Sequence, residues 1–195
     1  MDTTTDKSMM YRLMKERGAN QLDALTLGLV NAMKYSNSNV VYPDGEAKAG
    51  DGVDWMWFLP VYKGTCDFSE LNAIIQYVSQ ESLYDELGEM LMGIAMVEMK
   101  HLDNLGDLIC DLGGRIDTQK YTTTFVNYGK SPSTALQANI QSEKDTISAY
   151  NEIVDKITPL KQNKTTKYCL QMLAKLIADE EVHVNLLTER LKSLN

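Results

Sequence analysis

Leu91-Met-Gly-Ile-Ala-Met-Val-Glu98-Met-Lys-His101-Leu102 is the stretch on which the reading of this chain turns. It sets a glutamate three residues ahead of a histidine, and on a helix that spacing puts both side chains on one face. The pair recurs in Asp179-Glu180-Glu181-Val182-His183, and His101 and His183 are the only two histidines in 195 residues. With Glu at about 6% of positions, both histidines would gain such a partner by chance about 0.4% of the time. The faces they share are otherwise apolar: Leu87, Leu91, Ile94, Leu105 and Leu108 flank the first pair, and Leu173, Leu176, Leu187 and Leu191 flank the second. Such a stripe is the core face of a helix, where an ionised carboxylate is costly unless it is paired or bound to a cation.

Working outward, breakers are confined to a few places, and the remainder reads as helix. The spacing predicts helices over about 68–83, 85–112, 134–158 and 163–193, with Asp67 or Ser69 capping the first and Gly113-Gly114 closing the second. Between the second and third lies a connection of about 20 residues, Thr- and Gly-containing, ending in Ser131-Pro132-Ser133. Residues 8–35 hold a further helical stretch, strongest from Leu22 to Met33, followed by the polar run Ser36–Asn39 and a Gly-rich loop to about Gly52. Trp55, Trp57, Phe58 and Tyr62 then crowd a segment that Pro60 keeps from being a long helix, expected to be a core or dimer contact rather than a gate. The expected division is therefore an extension over residues 1–66 and a bundle over 67–195. Four helices in two pairs with one long crossover is the connectivity of an all-α, ferritin-like four-helix bundle.

The first and third bundle helices carry matching carboxylates in their own apolar stripes. Glu70 is followed seven residues on by Tyr77, and Glu143 by Tyr150, so the chain reads twice as Glu-x6-Tyr and then Glu-x2-His. One Glu from each of two helices and a Glu-x-x-His from each of the others is the arrangement of carboxylate-bridged dinuclear centres. Four carboxylates against two divalent ions give a neutral cluster, and two neutral imidazoles complete the set. Hard oxygen donors with one imidazole per ion suit two iron or two manganese ions rather than zinc. The plain alternative is a set of buried ion pairs, against which stands the scarcity of Lys and Arg on these stripes. Tyr77 and Tyr150 are expected to hydrogen-bond the ligands, and Glu181 to be a solvated neighbour.

Glu70-Leu-Asn-Ala-Ile-Ile-Gln-Tyr77, Glu98-Met-Lys-His101 and Asp179-Glu-Glu-Val-His183 resemble the metal-binding helices of the bacterioferritin and rubrerythrin branch of the ferritin-like superfamily. The resemblance implies Glu70 and His101 as terminal ligands to one metal, Glu143 and His183 to the other, and Glu98 and Glu180 as bridges. It also implies that Tyr77 stands beside the site, where it hydrogen-bonds a ligand or supplies an electron. The run Leu91–Leu102 is similar to manganese catalase as well. Met99 coincides with the haem-ligating methionine of bacterioferritins, although with 11 methionines in the chain the expectation is core or interface filling rather than haem. About 65 residues precede the first bundle helix and 12 follow His183, so the short fifth helix of mineral-storing cages is not expected. No C-x-x-C pair of a rubredoxin module is present, so electrons would come from a separate donor. The implied function is oxidoreductase chemistry on peroxide or dioxygen, as in a rubrerythrin-like peroxidase or a ferroxidase. The alternatives are peroxide disproportionation as in manganese catalase, and a storage or structural bundle without turnover.

Composition narrows the partners. Lys and Arg sum to 19 against 27 Asp and Glu, and a net charge of −8 excludes a sequence-independent grip on nucleic acid or anionic lipid. Cys66, Cys110 and Cys169 are few and scattered, as in a reduced compartment, and are expected to be buried small residues. The N-terminus lacks a secretory pattern, and no apolar run reaches the length of a membrane span, so a cytoplasmic homodimer or small homo-oligomer is expected.

Overall fold

The computed structural model describes residues 33–64, 68–117 and 125–194, and every structural statement below refers to these. The helical stretch expected over 8–35 lies outside them except for its last turn, a 3-10 turn at Met33–Tyr35. Cys66, Asp67 and the middle of the crossover also lie outside.

Helix α1 (Leu59–Lys63) is a single short element with Pro60 in its first turn, where a missing N–H costs nothing. The bundle follows: α2 (Glu70–Leu83), α3 (Gly88–Asp111), α4 (Pro132–Ile157) and α5 (Lys164–Ser193). The Ser69 side chain accepts from the Asn72 N–H at 3.3 Å and starts α2. A 3-10 turn at Asp85–Leu87 separates α2 from α3, so the second helix begins three residues later than its periodicity predicts. Gly113, at φ +84°, ends α3: its N–H bonds Cys110 O at 2.9 Å, and that of Gly114 bonds Ile109 O at 2.8 Å. Pro132 belongs to α4 rather than to the connection, because Ser131 and Thr134 form a capping box around it. Asn163 and Thr166 do the same for α5, which ends among the basic residues Arg190 and Lys192.

α2 packs chiefly on α3 and α4 on α5, and no strand occurs among the described residues. The crossover is anchored at Asn127 by a closed ring of hydrogen bonds on the buried side chains of Gln76, Gln80 and Asn139. Gln76 donates to Asn139 at 2.9 Å, Asn139 to Gln80 at 2.6 Å, Gln80 to the Asn127 carbonyl at 2.6 Å, and the Asn127 N–H to Gln76 at 2.7 Å. Each amide is satisfied by the next, so this polar layer can be buried without the penalty of a lone group.

The apolar interior is split in two. At one end Leu105, Leu108, Ile109, Ile153, Ile157, Met172, Leu173 and Leu176 pack together. At the other, Leu87, Leu91, Ile94, Leu136 and Leu187 do so. Glu98 and His101 on α3, Glu143 on α4, and Glu180 and His183 on α5 fall between the two groups along their helices. The aromatic segment caps the first group: Phe58 is fully buried in it, and Trp55, Trp57 and Tyr62 pack against it. It is therefore a core contact. Two close approaches need glycine: a Cβ at Gly114 would meet the Trp55 indole at 2.4 Å, and one at Gly93 would meet the Tyr35 ring at 2.1 Å. No helix of the described residues is long and apolar enough to cross a membrane.

Candidate metal centre

The seven-residue spacing of Glu70 and Tyr77 is about two helical turns, roughly 10 Å along the axis, so neither tyrosine can reach the glutamate of its own helix. Each reaches the other's: Tyr77 donates to Glu143 and Tyr150 to Glu70. These reciprocal pairs fix α2 and α4 as antiparallel neighbours in a single register. On the facing side of the bundle, His101 faces Glu180 and His183 faces Glu98, with the two ring centroids 6.1 Å apart. The same antiparallel logic therefore relates α3 and α5.

The result brings together all six residues singled out by their spacing. Glu70, Glu98, His101 and Glu180 form one group whose donor atoms lie within 4.8 Å of one another, and Glu98, Glu143, Glu180 and His183 form a second. All are buried, and Glu98 and Glu180 belong to both groups. His101 Nδ1 lies 3.1 Å from Glu98, 3.2 Å from Glu180 and 3.5 Å from Glu70. His183 Nδ1 lies 2.9 Å from Glu180, 3.0 Å from Glu98 and 3.7 Å from Glu143. One nitrogen can donate one proton, so three carboxylates converging on each Nδ1 are more than hydrogen bonding can serve. Glu98 Oε1 and Glu180 Oε1 are indeed buried without a hydrogen-bond partner among the described residues. A cation facing each imidazole would satisfy all of these oxygens at once, so the donor set fits a pair of metal ions.

Electrostatics say the same. Burial pushes the Glu70 and Glu143 carboxyls well above the usual range, and the charges of Glu98 and Glu180 push them further. Burial disfavours the charged imidazoles, yet the carboxylates facing them hold His101 and His183 well above the ordinary histidine value. Glu98 is the exception: burial raises it, but His183 and His101 together hold it below the carboxylate range. Burial and the neighbouring glutamates also push the phenols of Tyr77 and Tyr150 well up, so both stay protonated as donors.

These directions set a pH dependence for the metal-free protein. The two raised glutamates and the two raised histidines bind more protons folded than unfolded, so the stability they contribute is present below their unfolded values and lost as pH rises through their folded ones. The contribution of Glu98 runs the other way and is already complete above the unfolded carboxylate value of 4.5. Thermal unfolding of chelator-treated protein should therefore show a midpoint that falls as pH rises above about 5; a rising midpoint would contradict the charge pattern.

Sequence reasoning missed the support behind His101. Its Nε2 lies 3.1 Å from Asp179 Oδ2. Asp179 Oδ1 accepts from Lys175 Nζ at 2.7 Å, the Asn37 N–H at 2.5 Å and the Ser36 hydroxyl at 3.0 Å. Lys175 lies off the apolar stripe of α5, and its i,i+4 relation to Asp179 is the signal that the sequence carries. Other residues fall as follows. Glu181 is exposed, as expected, whereas Met99 is 44% exposed and so does not fill the core. Cys169 is buried, its thiol pushed up to about 12 by burial, but Cys110 is exposed on the outer face of α3, contrary to expectation.

Residues 69–195 match the ferritin-like domain family. A bacterioferritin of Desulfovibrio desulfuricans is 30% identical over 120 residues, covering 59% of this chain; the chain spans 64% of that relative's length. Among solved structures, a Mycobacterium tuberculosis bacterioferritin superposes with a TM-score of 0.63 at 22% identity, over 75% of this chain and 88% of the other. A manganese catalase from Anabaena PCC7120 superposes with a TM-score of 0.62 at 23% identity, over 79% and 76%. At these identities the two structures share the fold.

Proposed function

Because the chain belongs to the ferritin-like domain family, we propose that it is a dinuclear iron or manganese carboxylate protein acting as an oxidoreductase on peroxide or dioxygen, in the manner of a rubrerythrin-like peroxidase or a ferroxidase. The observation that carries this reading is the sharing of Glu98 and Glu180 between two donor groups, each completed by one imidazole and one further glutamate. On this reading Glu70 and His101 are terminal ligands of one ion, Glu143 and His183 of the other, and Glu98 and Glu180 bridge. Bound there, two redox ions would supply a two-electron exchange with the oxygen substrate.

The chain's own residues do the rest. Tyr150 holds Glu70 by Oε1, leaving Oε2 turned to His101, and Tyr77 holds Glu143 by Oε1, the oxygen that lies 3.7 Å from His183 Nδ1. Asp179 accepts a hydrogen bond from Nε2–H of His101, which keeps the proton on Nε2 so that Nδ1 presents its lone pair. The apolar groups on either side exclude bulk water. Tyr77 is the residue proposed to assist turnover, through its hydrogen bond to Glu143. Residues 67–195 constitute the working bundle and 1–66 the extension, in a cytoplasmic homodimer or small homo-oligomer served by a separate electron donor.

Manganese-dependent peroxide disproportionation is the second reading, favoured by the likeness of Leu91–Leu102 to manganese catalase. Peroxide consumption is measured on protein loaded separately with each metal. Iron-loaded protein is expected to consume peroxide only with added reductant; oxygen evolution by the manganese-loaded form without reductant would replace this reading with the second. Iron uptake far beyond two ions per chain would indicate storage instead. A Soret band in protein purified with haem supplied would reveal haem at Met99, and none is expected.

A further inference from the structure

The two halves of the centre repeat one another in sequence, but their surroundings do not. Asp179 stands immediately before Glu180, whereas the equivalent position before Glu98 is Val97. Asp179 crosses to His101 of the opposite helix and holds its Nε2 at 3.1 Å. Val97 offers nothing comparable, and His183 Nε2 is buried without a hydrogen-bond partner among the described residues.

Asp179 is itself immobilised. Lys175, Ser36 and the Asn37 backbone all donate to its Oδ1. Lys175 Nζ also donates to Ser36 Oγ and to the Asn37 carbonyl, both at 2.8 Å, and sits 5.2 Å from the centre of the Tyr42 ring. Lys175 and Asp179 are 3% and 0% exposed, so water does not compete for these bonds. A turn of the N-terminal extension thus reaches a metal-facing histidine through one carboxylate. A carboxylate on the far nitrogen fixes the imidazole tautomer and orientation and strengthens its donor nitrogen. Only His101 receives that help.

We propose that Asp179, locked by Lys175 and the Ser36–Asn37 turn, is a positioning residue that makes the Glu70/His101 position the tighter of two unequal metal positions, filled first and released last. This rests on the dinuclear reading and adds to it an order of occupancy and a role for the extension.

The test is an anaerobic titration of metal-free full-length protein with Co(II), followed by visible absorption and calorimetry. Wild type should bind two ions in two steps at least about tenfold apart in affinity, the tight step lost in His101→Gln and the weak one in His183→Gln. Asp179→Asn and Lys175→Met should weaken the tight step by about 10- to 100-fold and shift the weak step by no more than about threefold. A general loss of structure would move both steps together, so the split between them isolates positioning. Should Lys175→Met fail to fold, Ser36→Ala removes one donor and is expected to weaken the same step less. Two equal sites in wild type, or equal weakening of both steps in Asp179→Asn, would overturn this inference and leave the dinuclear reading standing. Fewer than two ions in wild type would overturn both.

Discussion

Glu98→Ala should reduce metal loading from two ions per chain to one or none, while Glu181→Ala, one residue from the equivalent Glu180, should retain two. The contrast follows from geometry. Glu98 sends one oxygen toward each imidazole, Oε2 at 3.1 Å from His101 Nδ1 and Oε1 at 3.0 Å from His183 Nδ1, so its removal takes a donor from both groups at once. Glu181 is exposed and faces away. Removing Glu98 also takes a buried counter-charge from both imidazoles, so the metal-free variant is expected to be less stable than wild type, and loading is read on protein that keeps its helical signal. Inductively coupled plasma analysis after desalting, with circular dichroism as the folding check, reads both. Two ions retained by Glu98→Ala would remove this residue from its bridging role.

The second large effect is on stability. Without a cation the centre must hold converging carboxylates in an interior where isolated charge is costly, and it does so by retaining protons on Glu70, Glu143 and both imidazoles. Ions that bind only the folded chain add about 2.7 kcal/mol per site at a free concentration of about 100 times Kd. Two sites then give about 5 kcal/mol, and for a chain of this size about 10–20 °C in Tm. Calorimetry with and without Fe(II) or Mn(II) under anaerobic conditions should show that shift for wild type and little of it for Glu98→Ala. An equal shift in both proteins would mean that the metal acts elsewhere.

The bundle was largely legible because its signals are local. Periodicity and caps placed four helices near their observed limits, and the errors arose where a local rule was under-read. Pro132 resembles a terminator but is the first residue of α4 within the Ser131–Thr134 box, and the start of α3 is displaced by the 3-10 turn at Asp85–Leu87. The six candidate ligands were legible because polar residues on an apolar stripe stand out, and the structure brings them together. What spacing could not show is contact between distant segments. The crossing of Tyr77 to Glu143 and Tyr150 to Glu70 requires the register of α2 against α4. The ring of the Gln76, Asn139 and Gln80 side chains with the Asn127 backbone looks in sequence like scattered amides, since it closes only when α2, α4 and the crossover come together. Lys175 reads as a surface lysine until Ser36 and Asn37, far away in the chain, close over it.

That last contact also gives the extension meaning. A bundle alone brings carboxylates and imidazoles together from four helices; the turn at Ser36–Asn37 adds contacts on the His101 side only. Unequal metal positions would let one ion remain resident while the other exchanges, which suits a centre that must be loaded stepwise from dilute metal.

The most direct measurement is a crystal structure of the metal-loaded protein with anomalous data collected at the iron or manganese absorption edge. Two peaks about 3.5–4 Å apart are predicted between His101 and His183, each contacted by Glu98 and Glu180. A single peak, or peaks away from these six side chains, would contradict the account.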